Sequence, residues 1–205
     1  MEKLLLRALK NGDTRLIGKC KSVVASVLIP IVILENKMHI ILEKRALKIT
    51  QGGEISFPGG KFDLNDITTE NTALRECIEE LGVNRDKVSI LGKFGTLSNP
   101  NGVVIDVYIG KLDIQNLSEL EYNINEVEKL MLVPLEFFLN TSPKEEKIGI
   151  KNIPLFSADE MRIPERYEGE WKGRDRTVYF YEFGGEVIWG MTADIIYELV
   201  RVLEK

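Results

Sequence analysis

RECIEELGV, residues 75–83, sets Glu76, Glu79 and Glu80 within five positions, directly after Arg75. At about 100° per residue in a helix, Leu74, Cys77, Ile78 and Leu81 share one arc and the three glutamates share the opposite one. The apolar arc predicts a helix from about Thr69 to Leu81, docked on a core. The acidic arc then faces solvent or a cleft, and Glu76 and Glu80, one turn apart, repel each other. An Arg75–Glu79 pair at i,i+4 offsets this by only about 0.2–0.5 kcal/mol. Either the face is merely solvated, or a cation makes the crowding favourable.

The stretch ahead of this helix, TQGGEISFPGGKFDLND (residues 50–66), favours the cation. Gly52-Gly53 and Pro58-Gly59-Gly60 let backbone pass close to a ligand and present its carbonyls and amides. Carboxylates beside exposed carbonyls are the oxygen donors that a hard divalent ion takes, and magnesium usually shares its coordination with substrate phosphates.

Outward from this region, apolar runs at Val23–Leu34, Met38–Arg45, Val88–Thr96, Val103–Leu112 and Lys129–Pro134 read as strands. ENK between the first two marks a hairpin, and Pro30 predicts an irregularity in the first. One or two further strands are expected over Thr177–Trp189. A helix at about 1–12 stops at Asn11-Gly12. Another at about 192–204 has Thr192 as N-cap, Asp194 in its first turn, and an apolar stripe from Ile195 to Leu203. This mixture predicts an α/β protein, an α/β/α sandwich around a mixed sheet, in a single domain over 1–205.

The chain is 44% hydrophobic and 29% charged, with net charge −5 and 27 dispersed basic residues. No basic run reads as a nucleic-acid footprint, and neither GxGxxG nor a P-loop is present. Val23–Leu34 is too short for a bilayer, which takes about 20 apolar residues. Cys20 and Cys77 form no disulfide framework, which suits a reducing, cytoplasmic setting. Cys77 reads as a small buried hydrophobe, and His39, the single histidine, as structural. The apolar C-terminal helix and its neighbouring strand could serve a homodimer interface.

Gly60 followed by Arg75-Glu76-Cys77-Ile78-Glu79-Glu80-Leu81-Gly82-Val83 resembles the Nudix box, a glycine with REUxEExGU downstream, with Cys77 at an aliphatic position. Asp66 stands where the box has its first glutamate, and the spacing to Arg75 is one residue longer. That spacing, GGEISFPGGKFD and VIWGMTADIIYEL are similar to the coenzyme A diphosphatase branch, over roughly residues 40–202. Lys48 and Gln51 replace that branch's arginine and histidine.

The resemblance implies a Nudix-type sandwich and metal-dependent hydrolysis of a nucleoside diphosphate linked to another moiety. Coenzyme A is the first candidate substrate, with ADP-ribose, NADH and dinucleoside polyphosphates as alternatives. A non-catalytic nucleotide-binding regulator is the reading from another class. Two or three Mg²⁺ or Mn²⁺ ions would sit on Glu76, Glu79, Glu80 and the Gly60 carbonyl. Glu79, Arg75 and Glu126 are the candidate catalytic residues, Glu126 as general base and Arg75 orienting a carboxylate. Arg45, Lys44, Lys48 and Phe57 are candidates for substrate binding, with Tyr108 a further aromatic.

Overall fold

The computed structural model describes residues 23–99 and 102–205. The expected helix at 1–12 and Cys20 lie outside them. The strands are β1 (Val23–Leu34), β2 (Lys37–Arg45), β3 (Ile55–Ser56), β4 (Gly59–Lys61), β5 (Val88–Ser98), β6 (Val103–Leu112), β7 (Val127–Pro134), β8 (Lys144–Ile148), β9 (Lys151–Asn152), β10 (Trp171–Lys172), β11 (Arg176–Phe183) and β12 (Glu186–Trp189). The α-helices are α1 (Thr69–Leu81), α2 (Leu135–Asn140) and α3 (Gly190–Leu203).

Seven strands make the main sheet, β3-β2-β1-β6-β5, with β4 pairing β1 and β7 pairing β2. The sheet is mixed: β1 runs parallel to β6 and antiparallel to β2 and β4. Strand β1 serves two partners on one edge. Ala25–Val27 pair with β4 and Ile31–Leu34 pair with β2. Pro30 falls in the gap between them, where its missing N–H leaves no ladder bond broken. The strand itself stays regular through Pro30, which pairs with Gly110 of β6 in register, so the irregularity expected there is not seen. Glu35 (φ 49°) and Asn36 (φ 61°) form the two-residue turn into β2, with positive φ at both positions as tight hairpins require.

Each face of the sheet carries its own core. On one, Ala73, Leu74, Cys77 and Leu81 of α1 pack against Leu28, Val32, Ile41 and Leu112. On the other, Ile195, Ile196 and Leu199 of α3 and Phe138 of α2 cover Ile29, Ile40, Leu42 and Val133. The α/β/α sandwich is therefore the observed architecture. Strands β8, β11 and β12 form a small second sheet, whose Tyr181 and Ile188 join the α3-side core.

The start of α3 departs from expectation. The helix begins at Gly190 after Trp189, which makes no side-chain cap. Thr192 lies inside the first turn, and its buried hydroxyl donates to the Ile55 carbonyl at 3.0 Å. Asp194 sits past the first turn and faces Arg176 at 3.5 Å. Thr192 therefore fastens α3 to β3 instead of capping it. Among the described residues no helix is long and apolar enough to cross a membrane.

Candidate active site

Local chemistry fixes both ends of α1. The Thr68 hydroxyl accepts the Asn71 N–H at 3.2 Å. At the other end Gly82 takes φ 61° and returns its N–H to the Ile78 carbonyl. A Cβ there would lie 2.0 Å from the Glu121 carbonyl oxygen, so glycine is needed twice over. Thr69 adds a bond from its hydroxyl to Asp106 at 2.8 Å. Tyr108, buried beneath the helix, meets the same hydroxyl at 2.9 Å and so positions α1.

Asp66, buried ahead of the helix, is a hydrogen-bond hub. Its carboxylate accepts from Arg75 Nε (2.8 Å), Arg75 Nη2 (3.1 Å), the Thr72 hydroxyl (2.8 Å) and the Asp63 N–H (3.2 Å). These bonds, the Arg75 fork first among them, hold it well below the usual carboxylate range. The longer spacing does not part Asp66 from Arg75. The chain turns at Ile67, φ 67°, with the Thr68 N–H reaching back to the Asp66 carbonyl at 2.7 Å. Such a γ-turn is strained for a β-branched residue. Arg75 also meets Glu76 at 2.8 Å and Glu79 at 3.0 Å.

The glutamates do not share one environment. Glu79 is exposed beside Arg75, whereas Glu80 is only 3% exposed. The Gly59 N–H donates to Glu80 Oε2 at 2.7 Å, so the Pro58–Gly60 segment roofs this carboxylate. Gly60 faces Glu76 so closely that a Cβ would fall 2.2 Å from Oε1. Helical periodicity alone predicts an outward Glu80; the glycine loop buries it.

A fourth carboxylate, absent from the sequence reading, joins them. Glu43 of β2 is 0% exposed. Its Oε1 accepts from the Ser56 hydroxyl at 3.2 Å, and Arg45 Nη1 lies 3.8 Å away. Its Oε2 has no hydrogen-bond partner. Burial pushes Glu80 above the ordinary carboxylate range, and the charge of Glu43 adds to the effect. Burial likewise raises Glu43, against Arg45 and Ser56 and assisted by Glu126 and Glu76. Glu76 is raised by burial, against the pull of Arg75. Glu126 is thus close enough for its charge to act on both Glu43 and Glu76. Its carbonyl, accepting the Ala46 N–H at 2.8 Å, ties that loop to the end of β2.

A cleft of about 680 Å³ opens beside these groups, lined among others by Arg45, Phe57, Gly60, Arg176, Trp189 and Met191. Of the expected substrate residues, Arg45 and Phe57 border it, Phe57 while 3% exposed. Lys44 does not. Strand alternation puts it on the α3 side of β2 with Ile40 and Leu42, where Glu186 (3.1 Å) and Glu128 (3.4 Å) hold it outside the lining. Lys48 is exposed and outside the lining. His39 lies four positions before Glu43 on β2, its ring bonded to the Lys37 carbonyl. Burial pushes the Cys77 thiol up, which leaves it inert as expected. The same alternation would have found Glu43, which shares the α1-facing side of β2 with Ile41. Arg176 carried no comparable signal.

The donors suit a divalent cation: raised, mutually repelling carboxylates and a buried oxygen without a partner. Among the described residues no three metal-binding side chains stand close enough to enclose an ion, so any ion here would complete its shell with water, carbonyl or substrate oxygens.

The NUDIX domain family matches residues 26–156. The chain is 31% identical over 180 residues to an uncharacterized Nudix hydrolase, NudL, of Photorhabdus laumondii, covering 88% of this chain and 84% of that protein. It is 29% identical over 185 residues to Nudix hydrolase 3 of Caenorhabditis elegans, covering 87% and 72%. A MutT/nudix family protein from Enterococcus faecalis, 16% identical, superposes with a TM-score of 0.52 over 100% of this chain and 70% of its own, a likeness of fold. Family match, relatives and box geometry together place the chain in the Nudix hydrolase family, as an enzyme that hydrolyses the diphosphate bond of nucleoside diphosphate derivatives.

Proposed function

We propose that the substrate is coenzyme A, cleaved to phosphopantetheine and adenosine 3′,5′-bisphosphate. One observation carries this reading. The two stretches that resemble the coenzyme A diphosphatase branch, GGEISFPGGKFD and VIWGMTADIIYEL, lie more than a hundred residues apart yet line one cleft. Thr192 of the second bonds the Ile55 carbonyl of the first. Both therefore serve the same bound molecule.

Nudix hydrolases use divalent metal ions, and Glu76, Glu80 and the Gly60 carbonyl, with Glu79 at the rim, are the residues that would hold Mg²⁺ or Mn²⁺. When bound, such ions neutralise diphosphate oxygens and lower the pKa of attacking water. The chain's own part begins with Arg75, which clamps Glu76 and Glu79 against Asp66. Glu126 accepts the proton of a water that attacks one phosphorus, and the P–O–P linkage breaks with the departing phosphate as leaving group. Arg45 faces the diphosphate. Arg176, whose buried Nε has no hydrogen-bond partner, supplies the cation for the 3′-phosphate at the far side of the cleft.

The test is a panel of coenzyme A, its 3′-dephospho form, ADP-ribose, NADH and diadenosine polyphosphates, each with Mg²⁺ and with Mn²⁺. Coenzyme A should be cleaved fastest, and Arg176→Gln should erase its advantage over the dephospho form. Cleavage of ADP-ribose with coenzyme A spared would overturn the assignment.

A further inference from the structure

Glu43 belongs to a strand, not to the glutamate helix, and the hydrolysis outlined above leaves it unused. It is completely buried, yet only one of its oxygens is satisfied. A carboxylate enclosed this way costs several kcal/mol unless something compensates its charge. The available compensation is thin. Arg45 Nη1 stands 3.8 Å from Glu43 Oε1 and 4.0 Å from Glu80 Oε1, beyond hydrogen-bond distance of both. The guanidinium occupies the place a cation would take between two carboxylates without satisfying either. It is held by one bond of its own, from Nε to the Thr50 carbonyl at 3.2 Å.

We propose that Glu43 is a further ligand of the divalent cation, so that Glu43 and Glu80 form a two-carboxylate seat from which Arg45 is displaced toward the substrate phosphates. Magnesium is commonly held by one or two carboxylates plus substrate phosphates, which matches a pair on the protein and a diphosphate above it. Ser56, bonded to Glu43 Oε1, fixes the rotamer with that oxygen on the Arg45 side, and Oε2 is left without a partner of its own. Gly59, bonded to Glu80 Oε2, does the same for the partner and leaves Oε1 turned toward Arg45. The inference rests on the reading of Glu76 and Glu80 as cation-holding residues.

Titration with Mn²⁺, following the free ion by electron paramagnetic resonance without substrate, tests it on wild type, Glu43→Gln, Glu43→Asp and Glu80→Gln. Glu43→Gln keeps size and the Ser56 bond and should weaken Mn²⁺ binding at least about tenfold, the lower end of what even an outer partner of a metal ligand costs. The metal-free variant should also melt higher than metal-free wild type, because a repelling charge has gone. Glu43→Asp, which keeps the charge but withdraws the donor, should bind with intermediate affinity, and it carries the test if the glutamine variant does not fold. If Glu80→Gln loses the ion while both Glu43 variants bind as wild type does, the seat is wrong and the helix site stands. If wild type itself binds no Mn²⁺, both readings fall. A higher metal-free melting point with unchanged Mn²⁺ affinity would mean that the pair only shares a proton.

Discussion

Gly59 and Gly60 are adjacent, yet a methyl group on each should strike different properties of the protein. At Gly60 the new carbon would stand 2.2 Å from Glu76 Oε1, 2.4 Å from its Cδ and 2.7 Å from Oε2. Ordinary contact begins at 3.4 Å, so the carboxylate must retreat by roughly 1 Å, a displacement that costs about 100-fold in rate when it misplaces a reacting group. The fold can absorb that retreat. Glu76 moves to another staggered rotamer and gives up a partly exposed pair with Arg75 worth about 0–1 kcal/mol. At Gly59 the methyl would meet backbone instead, the Ser26 carbonyl oxygen at 2.4 Å and Val27 Cα at 2.7 Å. Neither can withdraw without parting β4 from β1. Overpacking of this kind costs about 1–3 kcal/mol, which for a chain of this size lowers Tm by roughly 2–12 °C. Gly60→Ala should therefore melt near wild type while kcat falls about 100-fold, and Gly59→Ala should lose stability first. Thermal melts followed by circular dichroism, alongside phosphate-release kinetics with Mg²⁺, separate the two. A Gly60→Ala enzyme with wild-type kcat would refute the idea that Glu76 must lie against this loop.

Arg75→Lys keeps the charge but loses the fork, so it should lower stability by about 1–3 kcal/mol and depress kcat more than it raises KM, read from urea melts and steady-state kinetics. Glu43 and Glu80 hold protons more tightly folded than unfolded, so their stabilising contribution is full below the ordinary value of 4.5 and is lost as pH rises toward about 8. The Tm of chelator-treated protein should fall across that window and recover on adding Mn²⁺; a flat profile would refute the burial of both charges. Lys44→Gln should leave kcat/KM for coenzyme A at the wild-type value, since Glu186 and Glu128 hold Lys44 outside the cleft lining, and a large loss would restore it to the binding site.

Much of the site was legible because its determinants are local. The span Thr69–Leu81 follows from the apolar period and from Thr68 and Gly82 at its ends, all within one short window of sequence. What stayed hidden depends on segments meeting from afar. The burial of Glu80 is set by Gly59, 21 residues upstream, and that of Glu43 by the α1 face it shares with Ile41. Thr192 reads as a cap because hydroxyl residues favour helix N-termini. The structure instead gives its hydroxyl a carbonyl partner 137 residues away. Lys44 and Lys48 are expected at the substrate from their charge and their place just ahead of the glycine loop, yet both lie outside the cleft lining.

The two arginines of the site divide its work, and their hydrogen bonds show how. Every nitrogen of Arg75 is engaged, Nε and Nη2 by Asp66, Nη2 also by Glu76, and Nη1 by Glu79. A substrate phosphate reaching it would have to displace carboxylates already bonded to it, the buried Asp66 among them. Arg45 is the reverse: its Nε has one carbonyl partner, and its Nη1 sits at ion-pair distance from two carboxylates without a hydrogen bond to either. Arg75 therefore holds the glutamates in position, whereas Arg45 is only loosely held, as the proposal that it turns toward the diphosphate requires. The crowding in RECIEELG is stabilised from one side by a saturated clamp and left open on the other, and only the open side can respond to a ligand.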